Sequence, residues 1–296
     1  MSKQDIDINK LKWNTRKRLQ FIEIMAFYTG VITRSDIAGA FDISDAAATK
    51  DLKLYNDLFP GNLIYTQNVF GYIPGPTFKE ALADLSPQHT LPVIASNQAS
   101  FGEPEKQQSI YEINAEHLTL PSRYPDKNTL ANITRAIHGG KKLRAEYRSL
   151  SDRDSNQTRI IEPHSLADTG LRWHVRAYNT ETYDFRDFIL SRFIHAEVLN
   201  ETAESGAAYD EEWTETATIE LIPHPNLQKE KQDIVLMDYA AKNGVIEIRV
   251  RRAMIGYLLQ RLGVDTTRDH ELNPNAHQLA IKNRDEIEIF AEWAFQ

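Results

Sequence analysis

Two helix-capping residues set eleven positions apart, Thr33 and Ser44, constrain this chain more than any other local feature. Thr33 is followed three residues on by Asp36, a reciprocal capping pattern that starts a helix, and Asp42-Ile43 breaks the run before Ser44 starts another. Only one short helix and a tight turn fit between the two caps. Upstream, residues 14–28 carry Leu19, Ile22 and Ala26 at helical spacing and stop at Gly30. The helix opening at Ser44 has a stripe of Ala48, Leu52 and Tyr55 to bury, and turns Asp45, Ala46, Ala47, Thr49, Lys50 and Lys53 away from it. Residues 63–66 and 70–74 read as short strands around Gln67 and Asn68.

Three helices followed by a hairpin is the order of a winged helix-turn-helix, which places the last helix in a major groove of double-stranded DNA. Ala46 and Ala47 permit close approach and can meet a thymine methyl. Thr49 can hydrogen-bond, Lys50 and Lys53 can reach a base or a phosphate, and Asp45 can accept from a cytosine amino group or simply complement the helix dipole. Lys10, Lys12, Arg16, Lys17 and Arg18 form a basic run opposed by no acid before Glu23, which suits phosphate contacts; the plainer alternative is a solvated helix face. The candidate DNA-contacting set is Arg16, Lys17, Arg34, Ser44, Asp45, Ala46, Ala47, Thr49, Lys50, Lys53, Gln67 and Asn68. The competing alternative is a three-helix bundle that touches no nucleic acid.

With 296 residues the chain has room for two or three modules. Composition shifts at 74–76, 96–108 and 200–218 mark linker candidates. The net charge of −8 speaks against DNA binding only as an average: Lys and Arg balance Asp and Glu at zero over residues 1–85, while residues 201–296 alone carry −8. With no cysteine, there are no disulfides or thiolate metal sites, as suits a reducing cytoplasm. No apolar run reaches the length of a membrane span, and the polar first twelve residues lack a secretory signal's apolar centre, so no membrane partner is expected.

The middle of the chain opens with a helix at 128–138 and then changes to period two. Strands are expected at 143–149, 158–164, 171–179 and 184–193, in a small antiparallel barrel or curled sheet. Alternation along Arg172-Trp173-His174-Val175-Arg176-Ala177-Tyr178 sets Arg172, His174, Arg176 and Tyr178 on one face, to which the next strand adds Arg186, Phe188 and Arg192. Cations beside aromatic rings suit a phosphate and a stacked base. Equally, the arginines can bridge carboxylates such as Asp184 and Asp187 on a solvated face. Residues 245–250 and 286–290 read as strands and 253–262 as a helix, giving a small α+β unit in which Glu286 and Glu288 keep an edge strand soluble.

The string Trp173-His174-Val175, then Arg176, Tyr178, Phe185-Arg186 and Ser191-Arg192, resembles the signature of WYL-domain transcriptional regulators, with His174 and Val175 departing from the eponymous triplet. The order of modules resembles the regulators of bacterial phage-defence loci, the BrxR and CapW type, over nearly the whole chain. The resemblance implies a multidomain α+β protein. A winged helix-turn-helix occupies 1–95, a linker 96–126, an Sm-like β-barrel WYL domain that senses a ligand 127–203, and a small α+β dimerisation domain, WCX-like, 204–296. It implies a homodimeric repressor on an inverted-repeat operator and a nucleotide or nucleic-acid effector. The effector pocket it implies is Tyr147, Ser149, His164, Trp173, His174, Arg176, Tyr178, Arg186 and Arg192, although Trp173, on the Val175 face, suits the core as well. A second possibility is an adaptor that binds nucleotide or single-stranded nucleic acid as its main task.

An enzyme is not expected. Ser149, His164 and Asp168 can be assembled into a triad on paper, but there is no glycine-flanked nucleophile elbow, phosphate loop or HExxH helix. His138, His195, His224, His270 and His277 stand singly, and neither metal nor cofactor is implied.

Overall fold

A computed structural model describes residues 11–96, 111, 113, 120, 121, 123–150 and 157–295. Lys10, most of the 96–126 linker and the polar turn at 151–156 lie outside the described residues. The chain divides into two compact units, Met1–Thr119 and Leu120–Gln296. No described helix is long and apolar enough to cross a membrane.

In the first unit, α1 (Trp13–Thr29) ends at Gly30 in the left-handed conformation, φ 79°. α2 (Arg34–Phe41) starts with the full reciprocal cap. The Thr33 N–H donates to Asp36 Oδ2 at 2.7 Å, and the Asp36 N–H donates to Thr33 Oγ1 at 3.3 Å. Asp42 turns the chain at φ 50°, and Ser44 Oγ accepts from the Ala47 N–H to open α3 (Asp45–Leu58). Ala48, Leu52 and Tyr55 are buried against Leu19, Ile22 and Ile37. β1 (Leu63–Thr66) and β2 (Gly71–Pro74) pair antiparallel, and α4 (Pro87–Ser96) follows. Near its loop end the hairpin is tied to the α1–α2 link by paired backbone bonds between Ile32 and Tyr72, 2.9 and 2.8 Å.

Two buried carboxylates, Asp51 and Glu23, tie this unit together, and the first revises the basic run. Arg18 is not unopposed: its Nε lies 2.6 Å from Asp51 Oδ2 and its Nη2 3.2 Å from Oδ1, so it staples α1 to α3. The acid that answers it is 33 positions away in sequence. Glu23, fully buried, accepts the backbone N–H groups of Ala81, Leu82 and Ala83, and burial pushes its carboxyl pKa up despite them.

The second unit opens with α5 (Lys127–Gly139), capped by Asp126. It packs on a five-stranded antiparallel sheet of β3 (Lys141–Tyr147), β4 (Gln157–Asp168), β5 (Trp173–Asn179), β6 (Asp184–Ile189) and β7 (Phe193–Thr202), in the order β6-β5-β4-β3-β7. Ile133 of the helix meets Leu143, Ala145, Ile161, Val175 and Phe193 in one core. β4 runs past His164 and shifts register between Pro163 and Ser165, a bulge that bends the sheet. Among the described residues β6 and β7 share no ladder, so the sheet is open, not a closed barrel.

Three further expectations are corrected. The strand expected through 193 ends at Ile189; a short 3-10 turn, Leu190–Arg192, then feeds a fifth strand that takes in the start of the supposed 200–218 linker. Most of the rest of that linker is ordered as a 3-10 turn (Ala207–Tyr209), α6 (Glu211–Thr214) and the start of β8 (Thr216–Pro223), the central strand of a β10-β8-β9 sheet with β9 (Ile246–Arg251) and β10 (Leu279–Ile281). α7 (Lys229–Asp238) and α8 (Ile255–Leu262) complete a core around Ile219, Leu221 and Leu259. Residues 284–290 are helical, α9 (Arg284–Ile287) and a 3-10 turn. Arg284 pairs with Glu288 one helical turn on, 2.9 Å, which a strand cannot do. Glu286 and Glu288 therefore guard no strand edge.

Candidate functional site

The outward face of α3 is open at its N-terminal end. Ser44, Asp45, Ala46, Thr49, Lys50 and Lys53 are exposed and Ala47 is half-buried. The capped turn fixes where this face begins, because Ser44 spends its hydroxyl on the helix and cannot move without unwinding the first turn. Thr49 donates its hydroxyl to the Asp45 carbonyl at 2.8 Å, so toward a base it presents acceptor lone pairs rather than a proton. Arg34 lies 3.5 Å from Asp45 Oδ2 with both side chains about two-thirds exposed, a weak pair that a phosphate can replace. Arg16 and Lys17 are exposed on α1, and Lys17 sits 5.8 Å over the Trp13 ring. Gln67 and Asn68 occupy the exposed tip of the hairpin.

The five-stranded sheet does not gather its nine candidate residues into one pocket. Register decides much of this. Arg176 lies opposite Asp187, Ala177 opposite Arg186 and Val175 opposite Phe188. Directly paired residues share a face, so Arg186 and Phe188 belong with Val175 and Ala177, and the expected matching of Arg186 and Phe188 with Arg176 is off by one residue. Phe188 is core, as is Tyr147, whose ring meets Phe188 and Phe193 edge to face, whose hydroxyl accepts the Ile189 N–H at 2.9 Å, and over which the buried Arg159 lies. Arg186 is exposed and held by Asp184.

Arg176 and His164 come together under a strap, residues 207–215, that sequence reasoning passed over. Arg176, 4% exposed, donates Nε to Asp210 Oδ2 at 2.7 Å, Nη2 to Asp210 Oδ1 at 3.1 Å, and Nη2 to Glu212 Oε2 at 2.8 Å. His164 Nε2 reaches Asp210 Oδ2 at 3.1 Å, its Nδ1 meets Ser165 Oγ at 2.9 Å, and its ring packs against Phe185 and Trp213. Burial pushes the Asp210 carboxyl up, but the Arg176 and His164 contacts outweigh it and hold the group below the usual carboxylate range. Burial likewise lowers the His164 pKa, more than Asp210 raises it. The third carboxylate at Arg176, Asp187, 3.5 Å from Nη1, is pushed up by burial and accepts from the Tyr257 hydroxyl at 3.1 Å. No local signal marks these partners, since Asp210 and Glu212 lie 34 and 36 positions from Arg176.

His174 is buried beside Tyr257, ring centroids 4.8 Å apart, and its Nδ1 has no hydrogen-bond partner among the described residues. Burial first, then the charges of Arg172 and Arg192, bring its pKa down to about 4, so it is a neutral ring at pH 7. Trp173 is 36% exposed and stands outside the core cluster. Ser149 and Arg192 are half-buried, as is Tyr178, which packs on Phe185. Of the candidate set, Trp173 and Arg186 are thus exposed and Ser149, Tyr178 and Arg192 half-buried, and Arg172, next to Trp173 in sequence, is half-buried too. Among the described residues no cluster of three or more His, Asp or Glu is placed to hold a metal ion.

Three family models match the chain in the order of its modules. The BrxR transcriptional regulator winged helix-turn-helix domain covers residues 14–96, the WYL domain 128–198, and the BrxR transcriptional regulator C-terminal dimerization domain 216–287. Proteins described as DNA-binding transcriptional repressor CapW are similar over most of their length. That of Stenotrophomonas maltophilia is 31% identical over 279 residues, 94% of this chain and 93% of its own. That of Escherichia coli (strain KTE188) is 32% identical, covering 93% of this chain and 91% of the relative, and that of Pseudomonas aeruginosa 28%, covering 95% and 93%. The chain also spans about half of a solved structure, the proteasome accessory factor B/C of Arthrobacter aurescens, with 98% of this chain aligned to 51% of that one at 14% identity and a TM-score of 0.26, too low to bear on the fold.

Proposed function

The chain belongs to the family of CapW DNA-binding transcriptional repressors, and on that premise we propose that it represses transcription as a homodimer whose two recognition helices read an inverted repeat. The observation that carries this reading is the exposed first turns of α3, from Ser44 to Lys53, presented by a doubly capped turn within a chain similar to these repressors over 94% of its length. Pairing through the C-terminal α+β unit supplies the two-fold symmetry that matches symmetric DNA, with half-sites about one helical turn apart or a multiple of it. The test is binding of the purified chain to its own upstream DNA against random duplex across a salt series. Lys50→Ala and Thr49→Ala weaken specific binding more than non-specific binding, whereas Arg16→Ala weakens both. Absence of any sequence preference in the wild type refutes the reading.

The WYL sheet, on this reading an open variant of the Sm-like barrel, senses a nucleotide or nucleic-acid fragment and modulates DNA binding in a phage-defence operon. What supports this is the accessible cation and ring set, Arg172, Trp173 and Arg192, since a guanidinium pairs with phosphate and a ring stacks on a base. A 5′-phosphorylated oligonucleotide that releases wild-type protein from its operator, but not Trp173→Ala or Arg192→Ala protein, is the expected result. Equal release from all three removes this site.

A further inference from the structure

The hairpin between β1 and β2 has a tip unlike the rest of the DNA-reading face. Residues 63–74 contain neither Lys nor Arg, so the hairpin offers no formal charge to a phosphate. It exposes large apolar side chains instead: Phe70 is 81% exposed, Tyr65 53%, Ile64 45% and Val69 44%. Phe70 is also held in the left-handed backbone region, φ 49°, which a bulky aromatic rarely adopts. Glycine is the residue that fits such a turn position, and a glycine stands next door. Gly71, however, is committed to a different task, because a Cβ there would lie 2.9 Å from the Ile32 carbonyl oxygen and from Thr33 Cγ2, where the start of β2 meets the α1–α2 link. The loop therefore carries a backbone strain and an exposed ring at once, and neither helps the chain fold.

We propose that Phe70 is a wedge that enters the minor groove beside the major groove occupied by α3 and unstacks a base step there, bending the operator. Apolar side chains delivered to the minor groove act in this way, and the bend brings more DNA against the protein. Gln67 and Asn68, exposed in the same loop, carry amide groups able to donate to the acceptors that adenine and thymine present in that groove. The Ile32–Tyr72 backbone pair fixes the hairpin to the helix pair, so the tip is positioned by the same element that positions the recognition helix. Strained backbone at an exposed site is the usual mark of a functional constraint, and here the strain orients the residue that makes the contact. A neutral wedge adds affinity and shape selectivity without releasing counterions, which separates it from every lysine and arginine on this face.

The inference rests on the DNA-binding reading, and the experiment separates the two. The probe is a duplex carrying the inverted repeat that the wild-type chain selects from a random pool, labelled at both ends so that energy transfer reports the bend. Full-length wild type, Phe70→Gly, Phe70→Leu and Lys50→Ala proteins are compared. Phe70→Gly is expected to lose the bend and to bind the selected duplex about tenfold more weakly. Its slope of log affinity against log salt should stay at the wild-type value, whereas that of Lys50→Ala falls. The melting temperature of Phe70→Gly stays equal or rises, since glycine accepts φ 49° without strain. Phe70→Leu keeps the bend. A Phe70→Gly protein that bends and binds the duplex as wild type does overturns the wedge, as does one whose only change is in oligomeric mass, which would make the tip a protein contact. If the wild type selects no sequence, the DNA-binding reading falls and the wedge with it.

Discussion

Replacing Asp210 by Asn removes one negative charge from a carboxylate that is 1% exposed and leaves its shape in place. Asparagine has one acceptor oxygen where Asp210 uses two: with that oxygen on the cap it still takes the Trp213 N–H and Arg176 Nη2, but its NH2 then faces Arg176 Nε and His164 Nε2, so the charge and one acceptor are lost together. Taking away the only partner of a buried charge costs about 3–5 kcal/mol. Arg176 keeps Glu212 at 2.8 Å, itself about half exposed, and Asp187 at 3.5 Å, so the expected cost falls to about 2 kcal/mol. For a unit of this size that corresponds to about 4–8 °C in melting temperature. Asp210→Ala should cost about 1 kcal/mol more, through the lost cap. Calorimetry of the full chain near pH 7, following the transition of the larger unit, measures both, and a double-mutant cycle with Arg176→Met should return a coupling of about 1 kcal/mol or more. An Asp210→Asn protein within about 0.5 kcal/mol of wild type would mean that the strap does not depend on this pair, and the reasoning about Arg176 would fail. Because Asp210 titrates below its ordinary value in the folded chain, its contribution is complete above the unfolded carboxylate pKa near 4 and is lost as pH falls through the lower folded value.

Three further outcomes are expected. His174, moved from 6.5 to about 4, favours the unfolded chain once that chain takes up a proton, so stability is full above pH 6.5 and declines by about 3 kcal/mol toward pH 4; pH-dependent urea melts of His174→Gln should lack this slope. Gly75→Ala would set a methyl 2.1 Å from the Gly61 carbonyl oxygen and should destabilise the smaller unit by about 2 kcal/mol or more, read as an early thermal transition and loss of DNA binding. Asp51→Ala strands Arg18 between α1 and α3 at a cost of about 2–3 kcal/mol, whereas Arg16→Ala, two positions away and exposed, should leave the melting curve within about 0.5 kcal/mol of wild type.

What the sequence discloses here depends on how far apart the interacting groups lie. Thr33, Asp36 and Ser44 act on their own helix ends, within three residues of their partners, and local pattern reads them directly. The apolar stripe of α3 and the alternation of β3 and β5 are legible for the same reason. Arg18 and Arg176 show the limit. A single sequence records their charge but not the carboxylate that folding brings to it, so both look available for an anion. Strand register is equally hidden, and the face assigned to Arg186 and Phe188 turned on one residue of it. β8 was obscured differently: Ile219 and Leu221 alternate as a strand should, but they follow a stretch whose Glu, Thr and Ala content reads as linker. At 286–290 alternation misled in the other direction, because Ile287 and Ile289 mimic period two while the Arg284–Glu288 pair closes a helical turn.

The burial of Arg176 changes what a genetic screen of this protein can report. On the proposed reading that the WYL sheet senses an effector, selection for variants that no longer respond to it will return Arg176 substitutions readily, because three carboxylates depend on that one guanidinium. Such variants would lose abundance along with regulation, and a repressor that is scarce looks constitutively induced. On that same proposal, alleles at Trp173 and Arg192, which reach solvent and pair with no buried carboxylate in the contacts described above, would separate deafness to a signal from a shortage of protein.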